Sequence, residues 1–552
     1  MSLRARGLAT QMCALGIALC VLAPVLNLLW TAAGGSLAHW GHLARFVLPA
    51  ALQNTLALLA GVGVVVVLIG TACAWLVTAY EFPGRRMLTW ALLLPLAVPT
   101  YIMAFAYLDL LHPIGPIQTA IRTVLGYDSP RQFRLGDLRS IWGAIFLLGM
   151  VLYPYVYLST RAMFMTQAAN LMEAARTLGA SPVGAFARVA LPLARPAIAV
   201  GLSLALLEAL NDIGASEFLG VQTLTVSVYT TWVTRSDLAG AAQIALSMLV
   251  IVVGLILFER HQRKQQRYAT TQRMRPMART RLTGVRAGVA MTLGWLPVIF
   301  GFVAPALYLL AETVKRIRLV GMVSDALIAS LMNTLIVATA ATVVTVAAGL
   351  VLAWAGRHVR EGARASLGRM LGRIASLGYA LPGTVLAIGL LGPLVFIDRS
   401  LGAVLGTSGL VLTGSMMALV IAYTIRFLAI SVGSTEAGLA RIPPSIEQAS
   451  RLLGETPATT LVRVHLPLLR PAIAAGALLV FVDAMKELPA TLLLRPMNFE
   501  TLATWLYAEA ARGTYEEGAV AALAIVLAGL LPVILLARTD LKFGQTPGSQ
   551  HA

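Results

Sequence analysis

The sequence predicts an all-α polytopic membrane protein, with about twelve transmembrane helices in two tandem homologous six-helix units. Three observations carry that expectation. The 552 residues are 58% hydrophobic and only 12% charged, where a soluble domain carries roughly 25% charged residues. Apolar runs such as "LALLAGVGVVVVLIGTACAWLV" from Leu56 and "AVAALAIVLAGLLPVILLA" from Ala519 exceed the ~18 residues that suggest a bilayer span. A polar, proline-marked stretch, "LGASPVGAFARVALPLARPAI" from Leu178, returns as "LGETPATTLVRVHLPLLRPAI" from Leu453.

In chain order the apolar segments fall near 10–32, 52–80, 90–111, 141–164, 197–221 and 238–258, then near 288–311, 329–355, 373–397, 409–432, 471–494 and 518–537. The first follows Arg4 and Arg6. Its apolar run is longer than the ~7–15 residues of a signal-peptide core, so an uncleaved first span is expected. Cys13, Cys20 and Cys73 lie in apolar segments without metal-ligand spacing and read as small buried hydrophobic groups.

The net charge of +18 would suggest nucleic acid in a soluble protein. Here the Lys and Arg residues sit mainly in short loops between apolar runs, as the positive-inside rule requires, and nucleic-acid binding is excluded. The basic stretch from Glu259 to Arg286 shares a side with Arg4 and Arg6, as do the arginines of 357–373, so both termini are expected in the cytoplasm. Arg122, Arg131, Arg134 and Arg139 fall in a segment assigned outside, accompanied by Asp128 and Asp137. The expected organisation is a first unit over 1–258, a basic cytoplasmic linker over 259–287 that fixes topology, and a second unit over 288–552.

The repeat extends beyond the quoted stretches. One constant spacing pairs Arg176 with Arg451, Gly179 with Gly454, Pro182 with Pro457, Pro192 with Pro467 and Pro196 with Pro471. At nearly the same spacing "LQNTL" from Leu52 answers "LMNTL" from Leu331. Each half holds an even number of spans, so the duplication is parallel. The repeated polar segments, near 166–195 and 434–470, fall between the fourth and fifth span of each half, on the cytoplasmic face. "NLMEAARTLG" reads as a short helix closed by Gly179, the residue type that most easily takes a left-handed conformation. Ser181 then caps a second helix with Pro182 first, a device repeated by Thr456 and Pro457. The later prolines interrupt the next helix and set the angle of entry into the following span. Small residues at Ala174, Ala175 and Ala449 leave room for a partner to approach.

This segment resembles the Glu-Ala-Ala loop of binding-protein-dependent ABC importer permeases. The first copy supplies Glu173, Ala174, Ala175, Gly179, Leu191 and Pro192. In the second, Gln448 occupies the glutamate position, Ser450 replaces the second alanine, and Glu447 stands one residue early; Ala449, Gly454 and Pro457 remain. The resemblance implies a type I ABC importer transmembrane domain, with two permease units fused and a place in the bacterial inner membrane. It further implies that Glu173, Ala174, Ala175, Gly179 and Pro182, with Gln448, Ala449, Gly454 and Pro457, seat two coupling loops on an ATP-binding cassette ATPase dimer. A periplasmic or extracytoplasmic substrate-binding protein is the other implied partner, and no cofactor is. "KELPATLLLRPMNFETLATW" from Lys486 and "ASEFLGVQTLTVSVYTTW" from Ala215 look most like ferric-iron importer permeases. Permeases for thiamine or aminoethylphosphonate share the plan.

None of Lys264, Lys315, Lys486 and Lys542 follows a glycine, so the chain lacks a standard phosphate-cradling loop and is expected not to be an enzyme. Charged groups inside spans cost about 2.5–3.5 kcal/mol each. Glu208 and Asp212 stand four residues apart in the fifth span, expected on one helical face, and Asp483 and Glu487 repeat them. Two carboxylate pairs would suit a hard, oxygen-seeking cation; the alternative is packing, with Lys486 neutralising its neighbours. Glu217, Tyr229 and Tyr423 are weaker candidates, and Asn54 and Asn333 read as inter-helix hydrogen bonders. A rival of another class is an ion-gradient-driven secondary transporter, whose cytoplasmic loops would lack paired docking elbows. A membrane enzyme is disfavoured because no His, Cys and Asp cluster has catalytic spacing.

Overall fold

A computed structural model describes residues 3–35, 37–167, 175, 177–264, 279–321, 323–358, 370–406 and 410–543. Among these, eleven helices are long and apolar enough to cross a membrane. A bent pair, Arg85–Ala97 and Thr100–Leu110, turns by 93° at Val98 and Pro99 and brings the number to twelve when counted as one span. The bend has a local cause: Val98 and Pro99 are extended, and a residue before proline is steered out of the helical region. The all-helical, twelve-span expectation therefore matches the structure.

The packing units do not coincide with the chain halves. One comprises Met1–Leu43, Val228–Leu249 and Ser324–Trp505; the other comprises Ala44–Ser227, Val250–Val323 and Leu506–Ala552. Each is built on the same three-helix core. In the second of these units, Leu48–Ala79, Ile141–Gln167 and Leu191–Asn211 pack pairwise. In the first, Asp325–His358, Met416–Ala440 and Leu466–Met485 do so. Lipid is as apolar as leucine, so such helices gain by close approach, which small residues permit. A Cβ on Gly70 would lie 2.9 Å from the Tyr153 carbonyl and the Tyr157 amide, and one on Gly201 would lie 2.6 Å from the Tyr155–Val156 backbone at Val156 Cα.

Each core is completed by an opening helix from the other repeat. In one unit Leu3–Ala33 lies along Gly383–Leu405 and Asp325–His358, with Gly389 facing Pro24 and Gly392 facing Asn27. In the other, Ala304–Val320 packs on Tyr515–Phe543 and Thr100–Leu110. There the Tyr308 hydroxyl donates to Asp109 at 2.6 Å, while Lys315 pairs with Glu516 at 2.8 Å and Arg316 with Glu517 at 2.6 Å. The cysteine reading needs one correction. Cys73 is buried, but Cys13 and Cys20 are exposed, because a small apolar side chain is as well placed toward lipid as toward protein.

Candidate coupling loops and buried carboxylates

Glu173 and Ala174, like the rest of 168–174 and Arg176, lie outside the described residues; Ala175 and the chain from Thr177 onward match the second docking segment. In the first, the Ala180 amide reaches back to the Ala175 carbonyl at 3.0 Å around Gly179, whose φ is +86°. In the second, the helix Pro444–Leu452 ends the same way: Glu455 N–H bonds the Ser450 carbonyl at 3.1 Å around Gly454, φ +82°. This is the left-handed closure expected of a helix-terminating glycine. The Ser181 hydroxyl accepts from Gly184 N–H at 3.1 Å and Thr456 from Thr459 N–H at 3.3 Å, capping Pro182–Ala185 and Pro457–Thr460. Ala175 is half-buried, while Gln448 and Ala449 are exposed. Leu178 and Leu453, at matching positions, are more than four-fifths exposed, at 88% and 83%.

Both segments continue through a π-helical turn, Phe186–Ala190 and Leu461–His465, into the fifth span. Leu191 N–H bonds the Phe186 carbonyl and Leu466 N–H the Leu461 carbonyl, so the ladder widens just before Pro192 and Pro467, which have no N–H to give. Pro196 and Pro471 are tolerated within the helices that follow. A widened turn, repeated with its proline, sets the entry angle.

The fifth spans differ from the sequence expectation. They do not run as single helices over 197–221 and 471–494. The first ends at Asn211, with Asp212 extended at ψ 126°, and a short helix Gly214–Phe218 follows. The second ends at Met485 and resumes as Pro489–Leu494. Glu208 and Asp212 therefore do not share one helical face, nor do Asp483 and Glu487, because each pair straddles a break.

The break explains the buried acids. Asp212 Oδ2 accepts from Ser216 N–H at 2.8 Å and from the Ser216 hydroxyl at 2.9 Å, while Thr100 donates to Oδ1 at 2.5 Å. Glu487 accepts from Ala490 N–H and Thr491 N–H, each at 3.0 Å, and from the Thr491 hydroxyl at 2.7 Å. Its Oε1 also lies 3.7 Å from an Arg426 nitrogen. Each buried carboxylate thus supplies acceptors to the orphan amides of a helix start. Tyr423, placed by sequence among the weaker candidates, bonds Thr491 through its hydroxyl. Glu208 and Asp483 are half-buried, and Asp483 is paired with Lys486 at 2.8 Å. Glu217 accepts from the Tyr507 hydroxyl.

A second repeated device was only half visible in "LQNTL" and "LMNTL". Asn54 donates to the Gln222 carbonyl at 3.1 Å and Asn333 to the Glu500 carbonyl at 3.0 Å. Thr55 then accepts from Leu224 N–H at 2.9 Å and Thr334 from Leu502 N–H at 2.8 Å. These bonds hold the chain where it restarts after the broken span. They reach main chain, not another helix's side chains, which sequence spacing does not reveal. Among the described residues, no group of three or more His, Cys, Asp or Glu could hold a metal ion.

A duplicated six-span membrane protein, each repeat with a capped elbow before a broken fifth span, has the build of a transporter's membrane subunit. The chain belongs to the family of binding-protein-dependent transport system inner membrane components, whose model matches residues 66–268 and 346–539 and so includes both elbows. It is similar to the Fe(3+)-transport system permease protein FbpB 2 of Haemophilus influenzae, 26% identical over 89% of this chain and 90% of that one. It is 28% identical to the probable ABC transporter permease protein y4fN of Sinorhizobium fredii, over 91% and 89%. A putative 2-aminoethylphosphonate transport system permease protein, PhnU of Salmonella choleraesuis, is 29% identical over 38% of this chain and 73% of its own length. Like the family, the chain is a multi-pass permease and a non-catalytic membrane subunit.

Proposed function

We propose that this chain is the permease of an ATP-driven importer that carries ferric iron across the bacterial inner membrane, receiving it from an extracytoplasmic binding protein. The observation that carries the reading is the duplicated elbow, with Gly179 and Gly454 both left-handed and Leu178 and Leu453 both exposed. Such knobs, with no chemistry of their own, suit seating in clefts of two ATPase subunits. Both termini and both elbows lie in the cytoplasm on this reading, in keeping with the basic stretches at 259–286 and 357–373. The coupling residues are Glu173, Ala174, Ala175, Gly179 and Pro182 in one loop, and Gln448, Ala449, Gly454 and Pro457 in the other. The iron assignment is supported by the full-length likeness to the Haemophilus protein.

ATP binding moves each elbow, and the π turn passes that motion into the fifth span. The span yields at its break, where Asp212 and Glu487 keep the restarting helix capped as the angle changes. Glu208 and Asp483, half-buried beside the breaks, contribute carboxylates to the path of a hard cation. The test is reconstitution with the ATPase and binding protein. Ferric-loaded binding protein should stimulate ATP hydrolysis and iron uptake together. Uptake that persists without ATP and collapses with an uncoupler would favour a gradient-driven carrier; stimulation by a phosphonate- or thiamine-loaded protein alone would reassign the cargo.

A further inference from the structure

The second elbow is fastened to the membrane helices around it. At the end of Asp325–His358, the Arg357 guanidinium spends all three nitrogens on other segments. Its Nε donates to Glu447 Oε1, one terminal nitrogen to the Leu439 carbonyl, and the other to the Ile442 carbonyl at 2.9 Å. Glu447 lies within the docking helix Pro444–Leu452, while Leu439 and Ile442 belong to the end of the preceding span and the turn that follows. His465, fully buried at the close of the π turn, brings Nε2 to 3.1 Å from the same Glu447 oxygen, and its ring meets Trp354 edge-on at 4.9 Å. Ala353, Leu439, Ile442 and Leu469 pack as an apolar cluster beside these groups. Burial works against the Glu447 charge, yet the hydrogen bond and charge of Arg357, and then those of His465, hold its carboxyl below the ordinary range.

The corresponding positions of the first repeat are Thr78, Met172 and Ala190. None can form such a cluster. The glutamate that stands one residue early is therefore turned into its own subunit, leaving Gln448 exposed at the register of Glu173. We propose that Arg357, Glu447 and His465 are positioning residues that brace the second docking loop, so that force applied to it moves three membrane helices as one body. One guanidinium ties the docking helix to the spans before it, and His465 ties it to the span after it. Without the brace, the docking helix can tilt about its ends, and ATP hydrolysis no longer moves the span in step.

This inference rests on the proposed coupling to an ATPase, and its test separates the two. In proteoliposomes holding the full chain, ATPase and iron-loaded binding protein, Glu447→Gln and Arg357→Lys should lower iron taken up per ATP hydrolysed by about fivefold, the ratio that corresponds to loss of a coupling of about 1 kcal/mol. The ATPase should still co-purify. A role confined to folding would lower yield but leave that ratio normal in the assembled fraction. An unchanged ratio in both variants overturns the brace. Amide exchange over 444–452 in the chain alone is the second measurement, independent of any partner. Glu447→Gln should speed exchange about tenfold, the loss of one charge-assisted hydrogen bond, and unchanged exchange would equally overturn the proposal. Absence of substrate-stimulated ATP hydrolysis in the unaltered complex would instead count against the proposed function, with the exchange result still deciding the brace.

Discussion

Replacing Asp212 separates a helix cap from a cargo ligand. Asp212→Ala removes the acceptor for two backbone amides, those of Ser216 and, at 3.4 Å, Ala215, and for two hydroxyls, those of Ser216 and Thr100. The hydroxyls can rotate toward nearby carbonyls, at a loss of about 0.5–1 kcal/mol each, whereas the Ser216 amide is fixed and costs about 1–3 kcal/mol when orphaned in a buried site. Together, with the long Ala215 bond adding little, the alanine variant should lose about 2–5 kcal/mol. Asp212→Asn keeps one accepting oxygen and turns an amide toward hydroxyls that can reverse, so about 1 kcal/mol is expected. The assay is thermal unfolding of the purified chain in detergent alongside iron uptake by the reconstituted complex. Alanine should unfold well below asparagine, and asparagine should retain most uptake. An asparagine variant with unaltered unfolding and no uptake would refute the capping argument, since only a lost charge toward cargo gives that pattern.

Gly179→Ala and Gly454→Ala meet open space but force left-handed backbone on a residue with a Cβ; each should cost about 1–2 kcal/mol, seen as weaker co-purification with the ATPase while the chain's own unfolding shifts little. Gly70→Ala should destabilise the chain by about 1–3 kcal/mol through overpacking against the Tyr153–Tyr157 backbone. Gly254→Ala, with nothing within 4 Å, should leave thermal unfolding unchanged. Glu208→Gln and Asp483→Asn should lower iron uptake with binding-protein-stimulated ATP hydrolysis preserved; uptake equal to that of the unaltered complex in both would remove these acids from the path.

The spans, the duplication and the elbows were legible in the sequence because each is written in local chemistry. Twenty apolar residues mark a helix, and Gly179, Ser181 and Pro182 act on their immediate neighbours. The breaks at Asp212 and Glu487 were not legible. In "LNDIGASEFLG" and "MKELPATLLL" the polar pairs Asn211-Asp212 and Lys486-Glu487 interrupt the apolar run, but they read equally as functional acids in an unbroken span, because the deciding signal lies in carboxylates meeting amides three and four residues on. Nor could sequence say that Glu447 turns inward. That depends on Arg357 and His465, ninety and eighteen residues away in the chain, arriving together only through tertiary packing. The pairing of each core with the opposite repeat's opening helix is hidden for the same reason.

That pairing constrains how the molecule is made. Leu3–Ala33 enters the bilayer long before Gly383–Leu405 has been translated, so Pro24 and Asn27 wait for Gly389 and Gly392 while the whole first repeat emerges. In the interval the newborn helix must be sheltered by lipid or an insertion chaperone. Joining the repeats in one polypeptide makes its eventual capture intramolecular, at an effective concentration set by the tether. Severing the gene between the repeats would turn that capture into a bimolecular search, and assembly would become dependent on expression level.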